Sequence, residues 1–156
     1  MVRALPRLAS LGLVLAGRLA LAAEPAPAWP ASAQQAALGL VDALRAGDEA
    51  GALARAITFE EWSALSLRRL DRAQHEAALR GWLGGLAREL RAGLAVDDPV
   101  LADVLLLPRD EKLRRPVVMA VFHLRLHPPQ DKGARPPTLA LAFVEVDGRW
   151  RFMLRD

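Results

Sequence analysis

The chain contains no cysteine among its 156 residues. This absence excludes a disulfide framework and a lipid-bearing cysteine, so the fold has to be stabilised by packing alone. The sequence also lacks the motifs of common catalytic and nucleotide sites: G-x-S-x-G, H-E-x-x-H and a Gly-rich phosphate loop are all missing. Gly81, Gly84 and Gly85 do not supply such a loop, because no strand pattern precedes them.

Residues 1–22 have the pattern of a signal peptide. Arg3 and Arg7 form a basic n-region, residues 8–17 are apolar, and an A-x-A cleavage site ends at Ala22. The apolar stretch is shorter than the about 20 residues that a membrane span needs. We therefore predict export to the periplasm or the extracellular space, with no stable membrane span after cleavage. The alternative is an uncleaved N-terminal anchor.

Cleavage of the predicted signal peptide would remove the excess of basic residues. The formal net charge of the whole chain is +3, from 21 Lys and Arg against 18 Asp and Glu. Arg3, Arg7 and Arg18 all precede the predicted cleavage site, so the remaining 18 basic residues balance the 18 acidic ones. A balanced chain lacks the basic excess of nucleic-acid-binding proteins, and we predict no nucleic-acid partner.

Four helices are predicted after a Pro/Ala-rich spacer. Ser32, Asp48 and Asp71 each stand where an N-cap is expected. Glycines at 81, 84 and 85 are unfavourable inside a helix, so we expect another backbone, that of a sheet, to approach there; the alternative is a bend in the helix. The spacer covers residues 23–33, and the helices cover residues 33–47, 49–57, 59–70 and 72–94.

The remainder of the chain alternates with period two and predicts strands over residues 100–107, 117–127, 138–146 and 149–154. Asp147-Gly148 is a strong hairpin signal, and a two-residue loop pairs Val146 with Arg149. This register separates two faces of the sheet. The inner face, which we expect to meet the helices, holds Leu141, Phe143, Trp150, Phe152 and Leu154, extended by Val118, Ala120, Phe122, Leu124 and Leu126. The outer face holds the alternate residues.

Two segments, LVDALRAGDEAGALARAIT at residues 40–58 and VEVDGRWRFML at residues 144–154, resemble the opening and closing segments of the nuclear transport factor two-like superfamily. The resemblance extends over most of residues 32–156. It implies one α+β domain over residues 34–156, with N-terminal helices packed on a curved antiparallel sheet that forms a cone-shaped roll. Members include ketosteroid isomerase-like and polyketide cyclase-like enzymes and many non-catalytic binding modules.

The functional expectation follows from what the chain lacks. Isomerase-like members use a carboxylate base and a tyrosine-containing oxyanion hole, and this chain has no tyrosine. We therefore predict an exported non-catalytic binding or interaction module, with an unidentified ligand and no cofactor. The alternative is a small-molecule isomerase- or cyclase-like enzyme that uses a pocket carboxylate.

Asp103 is the candidate for such a carboxylate, because it stands in the middle of an apolar strand. If it pointed inward, burial would raise its pKa and make it a base. The alternative is an outward-pointing charge on an edge strand, which opposes aggregation. A small apolar ligand would instead contact aromatic side chains, and the candidates are Trp62, Trp82, Phe143 and Trp150. The alternative is that these side chains, at helical and strand spacing, simply pack in the hydrophobic core.

The outer face combines apolar and arginine side chains, a mixture typical of protein interfaces. Its interface candidates are Val121, His123, Arg125, Val144, Arg151 and Met153. A symmetric homodimer is one expectation and an envelope protein partner another. The alternative is that the N-terminal segment covers the face or that the face is left exposed. No metal site is predicted, because His123 and His127 lie too far apart on a strand and have no third ligand.

The predicted signal peptide has a direct test. N-terminal sequencing of the protein recovered from the envelope of its native host should begin near residue 22 or 23. A mature protein that retains Met1 would contradict the predicted cleavage.

Overall fold

Four helices precede five strands in the computed structural model, which describes residues 29–129 and 135–154. The helices are α1 Trp29–Arg45, α2 Glu49–Leu53, α3 Phe59–Leu65 and α4 Arg72–Arg91. The strands are β1 Ala95–Val96, β2 Val100–Leu107, β3 Val117–His127, β4 Thr138–Val146 and β5 Arg149–Met153. The helices pack against a strongly curled antiparallel sheet, a half-barrel, so the predicted α+β roll is confirmed.

Helix α1 begins at Trp29, earlier than the predicted cap at Ser32, so the end of the expected spacer is helical. Pro30 is compatible with the first turn, because the N–H that proline lacks has no helical partner there. The Ser32 hydroxyl instead accepts a hydrogen bond from Trp150 Nε1 at 3.0 Å. The predicted signal peptide and the beginning of the spacer lie outside the described residues.

Side-chain caps begin the other helices. The Asp48 carboxylate accepts from the Gly51 N–H at 2.8 Å, and Asp71 accepts from the Gln74 N–H at 2.8 Å. Both predicted caps are therefore confirmed. Thr58 forms a reciprocal capping box at the start of α3, which the sequence interpretation had not assigned.

The strand order is β1/β2, β3, β4, β5, with β1 and β2 pairing along successive parts of β3. The hairpin has the predicted register, with Val146 opposite Arg149 and each following pair in step. Asp147 and Gly148 have φ values of 50° and 77°. Positive φ at both central residues is what a two-residue type I′ turn requires, and its twist matches that of the strands.

Helices α1 and α4 bury the inner face of the sheet. Phe143 contacts Phe122 and Phe152 edge-to-face at centroid distances of 5.7 and 5.8 Å, and Trp82 of α4 lies 4.9 Å from Phe152. Leu40 and Leu83 close this cluster from the helix side. The inner face predicted from the hairpin register is therefore the main core.

The expected approach of a sheet backbone to the glycines of α4 is wrong. A Cβ added at Gly81 would meet nothing within 4 Å, and at Gly85 the nearest atom belongs to Arg88. Gly84 is buried, and its nearest neighbour is the Glu49 carboxylate of α2, 3.7 Å from the position of an added Cβ. The small residue thus faces the short helix α2 rather than the sheet.

Trp150→Ala should destabilise the fold strongly, because it removes a large aromatic side chain that is 8% exposed and its hydrogen bond to Ser32. We expect a loss of about 3–5 kcal/mol, a large part of the about 5–15 kcal/mol that stabilises typical domains. Urea unfolding measures it. The control is Arg149→Ala, an exposed neighbour that should change stability by less than about 0.5 kcal/mol. Equal stability of the two variants would contradict this packing.

Candidate functional site

The chain closes the β5 edge of the sheet between α2 and α3. The Ile57 N–H donates to the Phe152 carbonyl at 2.8 Å, and the Phe152 N–H donates to the Arg55 carbonyl at 2.9 Å. These bonds form a parallel bridge centred on Ala56. Beyond that edge the chain continues onto the outer face, and α3 packs there.

Helix α3 covers the outer face near the hairpin. A second apolar cluster joins Ile57, Leu65 and Leu113 to outer-face side chains of β3 and β4, with Trp62 packed against it. Val144, an interface candidate, lies in this cluster and is 1% exposed. The chain itself, rather than its N-terminal segment or a partner, therefore covers this part of the face.

A partly buried ion pair attaches α3 to strand β5. Arg151 Nε donates to Glu61 Oε1 at 3.0 Å, and the two side chains are only 18% and 22% exposed. The second Glu61 oxygen accepts from the Thr58 N–H, and Arg151 also donates to the Ala54 carbonyl. Arg151, predicted as an interface residue, is thus engaged within the chain.

Two loops pair to form a wall beside α3. The Leu67 N–H donates to the Lys112 carbonyl and the Arg114 N–H donates to the Leu65 carbonyl, both at 2.8 Å. This short antiparallel bridge connects the α3–α4 loop to the charged segment before β3. The segment between β2 and β3 thereby becomes part of a pocket wall.

Asp110 stabilises this wall. Its carboxylate accepts from the backbone N–H groups of Lys112 and Leu113 at 2.7 and 2.8 Å. These two hydrogen bonds, aided by the charges of Lys112 and Arg68, hold the pKa of Asp110 below its usual value. An acid held in its ionised form by its own turn is a poor proton acceptor.

A pocket of about 650 Å³ lies between these walls and the outer face. Leu105, Leu107, Met119 and Met153 line it from the sheet, and all four belong to the outer face. The other lining side chains come from α3, from the first half of α4, from the two paired loops, and from Ile57 and Leu154 beside the β5 edge. The pocket therefore has an apolar floor and a more polar perimeter.

Three polar residues around the pocket, Ser66, Asp71 and His75, have structural partners. Asp71 caps α4 through the Gln74 N–H, and the Ser66 hydroxyl accepts from the Arg68 N–H at 3.1 Å. His75 Nε2 lies 3.1 Å from the Ile57 carbonyl oxygen, which ties α4 to the chain that crosses the sheet edge. These contacts hold the walls of the pocket in place. The main surface left open to the pocket is its apolar floor.

The aromatic pocket candidates divide between two places. Trp62 lines the pocket. Trp82, Phe143 and Trp150 instead pack in the inner-face core. The division arises because the pocket lies on the outer face, between α3, the first half of α4 and the paired loops, whereas the other three aromatic side chains point to the inner face.

Asp103 is exposed on edge strand β2 and does not line the pocket. Its carboxylate accepts from the Val104 N–H at 2.8 Å, beside an irregularity at Ala102 where the pairing with β3 shifts. This is the outward-pointing alternative, in which a charge discourages pairing of other chains with a free edge. A base would need a pocket-facing carboxylate, and this position does not provide one.

The remaining interface candidates have different surroundings. Val121 is 5% exposed and packs with Met119 and Met153. His123 and Arg125 are exposed and line a second, smaller groove of about 530 Å³ at the other end of the outer face. A homodimer or protein contact on this face remains a prediction, and it would have to use that exposed end.

Within residues 29–129 and 135–154, no cluster of three or more His, Cys, Asp or Glu side chains is placed to hold a metal ion. No helix within those ranges has the length and hydropathy to cross a membrane.

The sequence interpretation missed most of the pocket. Met119 and Met153 were assigned to the outer face, Leu105 was assigned to neither face, and residues 66–70 of the α3–α4 loop were predicted to be helical. The alternation of β3 and β4 did indicate that the outer face is largely apolar. An apolar face with no predicted layer over it was the available signal that another part of the chain lies there.

Comparisons with protein-family models, with curated proteins and with solved structures find no match for this chain. The resemblance to the nuclear transport factor two-like superfamily accordingly stays a prediction.

The Glu61–Arg151 pair should stabilise the fold more than an exposed pair does. A double-mutant cycle with Glu61→Gln and Arg151→Met should give a coupling energy of about 1.5–3 kcal/mol, as for hydrogen bonds to charged groups away from water. The control cycle uses Glu49→Gln and Arg91→Met, whose side chains are 52% and 53% exposed. It should give about 0–1 kcal/mol. Equal coupling energies in urea unfolding would show that α3 is not anchored by this pair.

Proposed function

We propose that this chain is an exported, non-catalytic binding module that holds a small apolar ligand in the pocket beneath α3. The observation that carries the proposal is the pocket of about 650 Å³ on an apolar sheet floor. Ligand pockets are typically about 300–1,000 Å³ and mostly apolar, with a few polar groups that orient the ligand. The size and lining of this pocket suit that role.

The floor supports binding of a flexible apolar group. Met119 and Met153 contribute thioether side chains, which are polarisable and adapt to ligands of different shape. Leu105 and Leu107 add aliphatic surface from β2. Apolar contact of this kind stabilises a ligand in proportion to the area that it removes from water.

The carboxylates of the pocket favour binding over proton-transfer chemistry. Asp71 and Asp110 both accept backbone hydrogen bonds, which hold the start of α4 and the turn before β3 in place. The pKa of Asp110 is lowered, whereas a general base at neutral pH needs a raised one. Membership of the nuclear transport factor two-like superfamily is part of the proposal and would agree with a non-catalytic module.

Native mass spectrometry of the purified protein should show a retained small molecule that organic extraction removes. For affinity, the neutral fluorescent probe N-phenyl-1-naphthylamine reports on the apolar pocket. Recovery of a ligand-free protein that also fails to bind this probe would overturn the proposal.

Ala78→Trp should weaken binding of the probe, because Ala78 lines the pocket from α4 and a larger side chain there occupies ligand space. We expect a decrease of about tenfold or more, equivalent to about 1.4 kcal/mol. Ala77→Trp is the matched control, since Ala77 is an exposed neighbour on the same helix outside the pocket lining. Thermal melts should be similar for both. Equal probe affinity in the two variants would place the ligand elsewhere.

A further inference from the structure

Two cationic side chains line the pocket from the two paired loops. Arg69 belongs to the α3–α4 loop, and Lys112 belongs to the segment before β3. Both residues are exposed. The backbone bridge between Leu67 and Lys112 holds the two loops side by side, so the cations share one end of the pocket.

These two side chains are available to a ligand. Neither Arg69 nor Lys112 makes a side-chain hydrogen bond or a salt bridge to another residue in the described ranges, 29–129 and 135–154. The nearby acids have hydrogen-bond partners of their own: Asp71 caps the start of α4, and Asp110 accepts from two N–H groups of its own turn, with the charge of Lys112 adding a smaller electrostatic contribution.

The residues that line the pocket carry a net positive charge. Its lining contains three cationic residues, Arg68, Arg69 and Lys112, and two acidic ones, Asp71 and Asp110. The partial positive charge at the N-terminus of the 20-residue helix α4 also points toward Asp71 and offsets its charge. The chain after the predicted cleavage has no excess of positive charge, so this local excess is a property of the pocket.

We propose, on the basis of the binding function assigned above, that the ligand is a free single-chain amphiphile with a carboxylate headgroup, of the fatty-acid type. Its alkyl chain lies on the floor formed by Leu105, Met119 and Met153, and its carboxylate lies between Arg69 and Lys112. The arginine fork matches a carboxylate, and the lysine supplies a second, compact charge. A pocket for a drug-sized ligand suits one alkyl chain better than two.

Three probes with the same tail separate the contribution of the headgroup from that of the tail. Dodecanoate, dodecanol and dodecyltrimethylammonium are titrated, below their micelle concentrations, against the full mature chain by displacement of N-phenyl-1-naphthylamine. We expect dodecanoate to bind at least tenfold more tightly than dodecanol at low salt, and dodecyltrimethylammonium to bind most weakly. Decanoate should bind about fifteenfold more weakly than dodecanoate, because each buried methylene contributes about fourfold.

Arg69→Gln and Lys112→Gln should each remove most of the preference for dodecanoate and leave the affinity for dodecanol unchanged. The matched control is Arg109→Gln, since Arg109 is an exposed cation in the same segment as Lys112 but is not in the pocket lining. It should keep the full preference. Surface positions such as these leave the thermal melt nearly unchanged, so loss of folding does not confuse the result.

The outcomes distinguish the two proposals. Equal binding of dodecanol and dodecanoate, or an equal effect of all three Gln variants, would overturn the headgroup assignment and leave the apolar pocket in place. Failure of every alkyl probe to bind would overturn the pocket function itself. Binding to phosphatidylglycerol vesicles without binding to dodecanoate would show that the cations meet a membrane surface and would also overturn the free-ligand assignment.

Discussion

The arrangement of the whole molecule depends on how the β5 edge of the sheet is closed. Strand β5 pairs with β4 on one side only, so its other side presents backbone groups that need partners. Ile57 and Arg55 supply them through Phe152, and this bridge brings the chain around the edge. Helix α3 can pack on the outer face only because the chain crosses there. The Glu61–Arg151 pair then attaches the helix to the same strand that the bridge protects.

The two faces of the sheet consequently have different roles. The inner face is filled by interlocking aromatic side chains under α1 and α4, and it provides most of the buried apolar core. The outer face is filled only near the hairpin, where α3 and Leu113 cover it. Between the covered part and the α3–α4 loop, apolar side chains of β2, β3 and β5 stay open to a pocket. Because α3 and Leu113 cover only part of the outer face, a cavity remains that a ligand can occupy. This cavity is the physical basis of the proposed function.

Local patterns determined a large part of the fold. Period-two alternation located the four long strands, and the Asp147-Gly148 turn determined the hairpin register, since a two-residue loop permits only one pairing in step. The caps at Asp48 and Asp71 were equally local, because a cap depends on residues three positions apart. The start of α1 was misplaced because Ser32 resembled a cap, whereas its hydroxyl accepts from Trp150, 118 residues away in sequence.

By itself, the sequence therefore determined the four longer strands, the inner face and the chemical character of the outer face, all of which follow from spacing along the chain. Only the tertiary structure decided what covers the outer face and where the pocket lies. Arg69 and Lys112 are 43 positions apart, and no periodicity relates them; the bridge between their loops brings them to one pocket. Asp103 illustrates the same limit. The sequence pattern of its strand is compatible with an inward or an outward side chain, and only the pairing of β2 with β3 shows that it lies on an edge strand. A side chain's role in a site depends on contacts between distant segments, and those contacts are set by how the elements pack.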